Sequence, residues 1–259
     1  MPFTFDLLRP FFRKPAGGGG GGGIVYKGYI FGTQSGVSAS VDLTAALTSG
    51  TGGYVASGDC VILFGAGIDT ADVSCSIDSP SGVTPLGELY SDDNRDTNTI
   101  AGLKIMGGTP DTSASMTLLS GSTRACEMVA LVFSGVDGTS PLDDTSTYSN
   151  PNTATGINGN NADSPPIDPS TTGAVVVSLG AGTTADTATD GESVGSGYPS
   201  GYTLMWDYLH RVSPYDIQAG AAYIAWSGSG SEDPGAWTFH AGSGSSQSWA
   251  AYTLALRPA

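Results

Sequence analysis

Positive charge is what this chain has least of: nine Lys and Arg stand against 24 Asp and Glu, for a net charge of −15. Phosphate backbones are held by clustered Lys and Arg, so the acidic balance excludes nucleic acid as a partner. Long apolar runs are missing too. No stretch approaches the roughly 20 apolar residues of a membrane-spanning helix, so no membrane insertion is expected. The first residues lack the unbroken apolar segment of a secretory signal, because Asp6, Arg9, Pro10, Arg13 and Lys14 interrupt it, and folding in a cytoplasm is expected. Cys60, Cys75 and Cys126 are odd in number and without metal-ligand spacing, which predicts buried or free thiols. Helix-forming runs are scarce, whereas glycine reaches 39 residues among many Ser, Thr and Asp. That balance predicts an all-β chain of short strands and many turns.

What is present divides at a run of seven glycines, Gly17 to Gly23. Residues 17–23 have no side chains to pack and read as a tether of roughly 15 Å root-mean-square span. Ahead of it, residues 1–16 form an arm with three of the basic residues, Arg9, Arg13 and Lys14, against one acid, Asp6. Phe3, Phe5, Leu7, Leu8, Phe11 and Phe12 would be a costly apolar exposure on a free tail, and Pro2, Pro10 and Pro15 discourage a long helix. An extended peptide docked on another subunit accounts for both, with Arg9 and Arg13 among the anchoring residues.

Residues 24–259 carry a repeated pattern. The apolar run Gly58-Asp-Cys-Val-Ile-Leu-Phe-Gly-Ala-Gly67 reads as a strand buried on both faces and returns as Gly173-Ala-Val-Val-Val-Ser-Leu-Gly-Ala-Gly182. Ser81 to Tyr90 matches Ser200 to Leu209, the segment from Ile100 matches that from Gln218, and Ala125 to Leu131 matches Ala250 to Leu256. Two sequence-related halves are expected, about 24–140 and 170–259, joined by a surface loop over 141–169. Four strands in a half make one sheet with an uncovered apolar face, so the two halves are expected to close a single sandwich together.

The Gly58-Asp59 lead into a buried strand, the aromatic strand after Pro199-Ser-Gly201, the segments Phe133-Ser-Gly-Val-Asp137 and Pro141-Leu-Asp143, and the terminal Leu254-Ala-Leu-Arg-Pro258 resemble duplicated jelly-roll-like β-sandwich domains. Such domains occur in virion structural proteins of tailed bacteriophages and gene transfer agents, of the head-fibre, spike or decoration type. The resemblance covers residues 24–259 and leaves the arm outside. It implies a jelly-roll-like antiparallel β-sandwich preceded by an extended arm, anchored through residues 1–16 to other virion proteins of capsid or tail and assembled in the host cytoplasm. A carbohydrate-binding adhesin that contacts host surface polysaccharide is the alternative, and a glycan-degrading spike enzyme a third reading. A homo-oligomer fits the first two, although no heptad repeat supports a coiled-coil stalk.

No catalytic constellation converges in the sequence, and no enzyme activity and no cofactor are expected. Gly191-Glu-Ser-Val-Gly195 has the form of a nucleophile elbow but lies in a Gly/Ser/Thr/Asp loop, with only His210 and His240 as histidines in the chain. Asp92, Asn94 and Asp96 alternate as oxygen ligands of a calcium loop would, yet Thr97 stands where such a loop needs glycine and Leu103 where it needs glutamate. A solvated turn is the plainer reading. Asp137, Asp143 and Asp144 are a poorer candidate of the same kind. Tyr198 and Tyr202 flank the Pro199-Ser-Gly201 loop, where aromatic rings suit sugar stacking or a protein contact.

Overall fold

The computed structural model describes the chain from Gly23 to Ala259 apart from residues 70–73, 92–95, 119–124, 144–148, 157–160, 185–189, 196, 213–214 and 240–247. Residues 1–22, with Phe3, Phe5, Leu7, Leu8, Arg9, Phe11, Phe12 and Arg13, lie outside the described residues. Within them every regular element is a strand. The first half contains β1 (Val25–Ser35), β2 (Ser38–Asp42), β3 (Cys60–Asp69), β4 (Ser76–Ser79), β5 (Thr84–Tyr90), β6 (Asp96–Ile105), β7 (Ser113–Thr117) and β8 (Ala125–Ser134). The second contains β9 (Asn152–Gly156), β10 (Asn161–Ser164), β11 (Val175–Thr184), β12 (Thr203–Val212), β13 (Tyr215–Ala225), β14 (Gly235–Thr238) and β15 (Trp249–Leu256).

Two five-stranded antiparallel sheets dominate, in the orders β1-β8-β3-β6-β5 and β12-β13-β11-β15-β9. A three-stranded sheet, β2-β7-β4, and a two-stranded one, β10-β14, complete the body. The orders 1-8-3-6 and 2-7-4 are those of a jelly roll, with β5 added beside β6.

Side-chain alternation sorts the core into three slabs. Ile62, Phe64, Val129 and Leu131 of the first large sheet pack against Val177, Leu179, Ala219 and Leu254 of the second. On the reverse of the first sheet, Val61, Leu63, Met128 and Val132 meet Val41, Ala114 and Met116 of the three-stranded sheet. On the reverse of the second, Val176, Ala222 and Ala251 meet Ala162, Trp237 and Phe239. The antiparallel β-sandwich expected from the sequence is present, and the two small sheets make the body four layers deep. Each half supplies its own cover, in strands such as Ser76–Ser79 and Asn161–Ser164 that are too short and too polar to announce themselves. Burial on both faces explains the uninterrupted apolar run of β3, whose ten residues are all buried.

The expected surface loop over 141–169 is likewise corrected. It contributes β9, which extends the second large sheet beside β15, and β10, and it buries Asp143 and Ile167.

The strand matches drawn from the sequence fall on corresponding places: β3 with β11, β5 with β12, β6 with β13 and β8 with β15 occupy the same order in the two large sheets. A register break at Leu86 in β5 has its counterpart at Met205 in β12, and both side chains enter the central slab. Two of the sequence matches slip. Gly65 lies opposite Ile100 and Met128, whereas Gly180 lies opposite Gly220 and Ala251. Ile100 thus corresponds to Gly220, two places beyond Gln218, and Met128 to Ala251, two places before Thr253. A two-residue slip leaves every side chain on the same face, so the apolar pattern alone does not detect it.

Polar contacts also cross the central slab. Thr99 Oγ1 and the Tyr252 hydroxyl are 3.0 Å apart, Thr97 Oγ1 and Ser248 Oγ 2.8 Å, and the Tyr26 ring lies 5.5 Å from that of Tyr223.

Candidate functional site

Beside the seam of the first sandwich, the edge strands β4 and β5 leave a groove of about 440 Å³. Its walls are aliphatic, from Ile77, Val83, Pro85 and Ile100, and it carries the carboxylates of Asp78 and Glu88. Both carboxylates are held in place. The Cys75 N–H donates to Glu88 Oε1 at 2.6 Å, while the hydroxyls of Ser76 and Thr117 donate to Asp78 Oδ1 and Oδ2 at 2.6 and 2.8 Å. None of the described residues lining the groove is Lys, Arg or His. Lys104 reaches the rim, donating to the Ser81 carbonyl at 2.6 Å, and its charge is paired with Asp111 at 2.7 Å. Tyr90, two residues after Glu88 on the same face of β5, is 49% exposed. Sequence reasoning missed this site, because it forms between two edges whose closeness no local pattern announces.

The residues singled out in the sequence do not gather there. Tyr202 is buried in the outer slab of the second half and its hydroxyl donates to Glu232 Oε1 at 3.2 Å, which corrects its reading as a loop ring for sugar stacking or a protein contact. Tyr198, half-buried, packs against the same slab. Asp92 and Asn94 lie outside the described residues, and Asp96 is buried at the start of β6, directly across the ladder from buried Asp69. No group of three His, Cys, Asp or Glu suited to a metal occurs among the described residues.

Asp143 proves to be a clamp. Its carboxylate accepts hydrogen bonds from the Ser170 and Thr171 N–H groups at 2.7 and 2.9 Å and from the Thr171 hydroxyl at 2.5 Å, and Arg257 Nε lies 3.4 Å away. Asp137 accepts from the N–H groups of Thr139 and Ser140 and shapes a turn. The Ser193 hydroxyl donates to Asp207 Oδ2 at 2.5 Å, so its proton is committed to a carboxylate. His210 donates instead from Nδ1 to the Cys126 carbonyl at 3.0 Å, and burial lowers its pKa. His240 lies outside the described residues. The three cysteines are buried and joined by no disulfide, each thiol pushed up to about 12 by desolvation.

A second concentration of chemistry lies inside the central slab. Glu127 projects inward from β8 and is fully buried, and among the described residues no partner lies within good hydrogen-bond geometry of either of its oxygens. Burial, then the charges of Asp190 and Asp207, push its pKa well above the ordinary 4.5, and the Ala219 N–H offsets this only in part. Asp190 accepts from the Tyr208 hydroxyl at 3.3 Å and from the Arg211 N–H at 2.8 Å, so these acids are spent on the fold. Between 4.5 and the raised value the native state holds a proton that the unfolded chain has released, so this group's contribution to stability falls as pH rises. Glu127→Met is expected to gain about 1–3 kcal/mol at pH 8 and progressively less toward pH 4. Melting temperatures of both proteins across that range check this; parallel curves contradict it.

Comparison of the chain with protein-family models, curated proteins and solved structures yields no match.

Proposed function

We propose that the chain is a structural protein of a phage-like particle, anchored by residues 1–16 to capsid or tail and projecting residues 24–259 as a rigid β-built body. The observation that carries this reading is the closure of the body. Among the described residues all three apolar slabs are built from strands that begin at Val25, which supports an arm that works between molecules. The buried acid Asp143 and the turn-forming Asp137 serve the architecture, which suits a mechanical part better than a catalyst. The resemblance noted in the sequence points the same way. We further infer that the two halves arose by duplication, supported by the matching orders of the large sheets and the matching register breaks at Leu86 and Met205.

Deleting residues 2–16 should lower incorporation into particles at least tenfold while leaving the circular dichroism spectrum and melting temperature of the body unchanged. Undiminished incorporation would overturn the anchoring role.

The groove between β4 and β5 favours a second reading, in which the projected body also contacts host surface glycan. It offers fixed acceptors and aliphatic walls on an outward edge, the chemistry a sugar requires.

A further inference from the structure

We propose that the groove between β4 and β5 is a saccharide site selective for uncharged or amino-substituted sugars. This deepens the glycan-contact reading and rests on it. The volume of about 440 Å³ falls in the range of small-ligand sites, about 300–1,000 Å³. Aliphatic walls from Ile77, Val83, Pro85 and Ile100 suit the C–H faces of a sugar ring. The carboxylates of Asp78 and Glu88 are acceptors without a cationic partner among the described lining residues, and so match a ligand rich in hydroxyl donors. Because the hydroxyls of Ser76 and Thr117 and the Cys75 N–H already fix these carboxylates, little side-chain freedom is lost on binding.

Specificity follows from charge. A sialylated or sulfated glycan would bring an anion against two carboxylates with no cation among the described lining residues to meet it, since Lys104 at the Ser81 rim is already paired with Asp111, whereas an amino sugar gains an ion pair. Two residues beyond Glu88 on the same face of β5, the half-exposed ring of Tyr90 offers a face on which a second sugar can stack. Among the described residues two carboxylates face the groove, with both oxygens of Asp78 and one of Glu88 tied to protein, which leaves too few ligands for a divalent cation.

The full chain, isotopically labelled, is titrated with a neutral trisaccharide (cellotriose), an amino trisaccharide (chitosan trimer) and an acidic one (sialyllactose), with calcium alone in a separate arm. The expected result is amide shifts at Gly82, Gly87 and Glu88 with the first two sugars and not the third. The double variant Asp78→Asn, Glu88→Gln, in which the amide oxygens still accept from the Ser76 hydroxyl and the Cys75 N–H while the Asn amide N–H donates to the Thr117 hydroxyl, should weaken binding at least tenfold without changing the fold. Sugar binding that the double variant leaves intact, or that shifts residues elsewhere, overturns the groove and spares the glycan reading. No binding of any sugar at millimolar concentration overturns both. Calcium shifting the groove amides while sugars do not also overturns the proposal.

Discussion

Replacing Trp237 by alanine should destabilise the second half of the body by about 3–5 kcal/mol, toward the upper end for large-to-small core changes. The reason is the surface on which the indole rests. Gly180 of β11 and Gly220 of β13 are directly opposite in the ladder, and a Cβ built on either would come within 2.6 or 2.5 Å of the Trp237 ring. The absence of side chains there lets the ring lie against bare backbone. Once it is removed, no neighbouring side chain on that shelf can relax into the space. The polar cost adds to this. Trp237 Nε1 donates to Ser178 Oγ at 2.8 Å, and Ser178 is itself 2.8 Å from Ser164 Oγ, so the substitution strands a fully buried hydroxyl pair. The parallel stack with Phe239, 6.0 Å between centroids and 7° between planes, is lost as well. Hydrogen exchange separates this from a general weakening. Amides of β10, β11 and β14 should exchange faster in the variant, and those of β2, β4 and β7 should not. A loss under 1 kcal/mol, or faster exchange in both halves alike, would contradict the account.

Asp143→Ala should cost a similar amount, about 3–5 kcal/mol, because it leaves donors unpaired at a buried site. The side chain is fully buried and holds three parts of the chain together: its own segment after β8, residues 170–171 ahead of β11, and Arg257 after β15. The effect has a pH signature. Burial alone would raise this carboxyl's pKa, but the hydrogen bonds from Thr171 and Ser170 overcome that and hold it below the ordinary 3.8. A depressed folded pKa gives stability that is present above the unfolded value and lost as pH falls through the folded one. The deficit of Asp143→Ala should therefore be largest near pH 7 and shrink below about pH 4. Denaturation midpoints of both proteins at pH 7 and pH 3 measure it; a deficit that grows toward acid would show that the carboxylate is not the stabilising form.

The central strands were legible because burial on both faces writes itself into sequence as an unbroken apolar run, as in Cys60–Ile68 and Val175–Ala181. The cover strands were not. Ser113–Thr117 and Asn161–Ser164 present one or two inward side chains each, too few to rise above a background of Ser, Thr and Asp. Missing them led from four layers to two. The two-residue slips at Ile100 and Met128 have another origin, since alternation fixes which face a residue takes but not its partner across the ladder. Tyr202 shows the limit of reading loops, for a turn at Pro199 directs the ring inward under β13 although its neighbours in sequence are turn formers. Asp143 looked like a metal ligand because a clamp and a ligand both need an oxygen-rich acid beside a turn. Only the five donors around it decide between them.

The small sheets β2-β7-β4 and β10-β14 have a consequence for growth of the architecture. They act as lids on the two outer ends of a stack whose members meet through the large sheets, much as terminal repeats close a solenoid. With both ends lidded, no further unit can join face to face unless a lid is first discarded. Lengthening of such a chain is then confined to the strand rims and the loops between them, and those are the places where the body can be remodelled without being rebuilt.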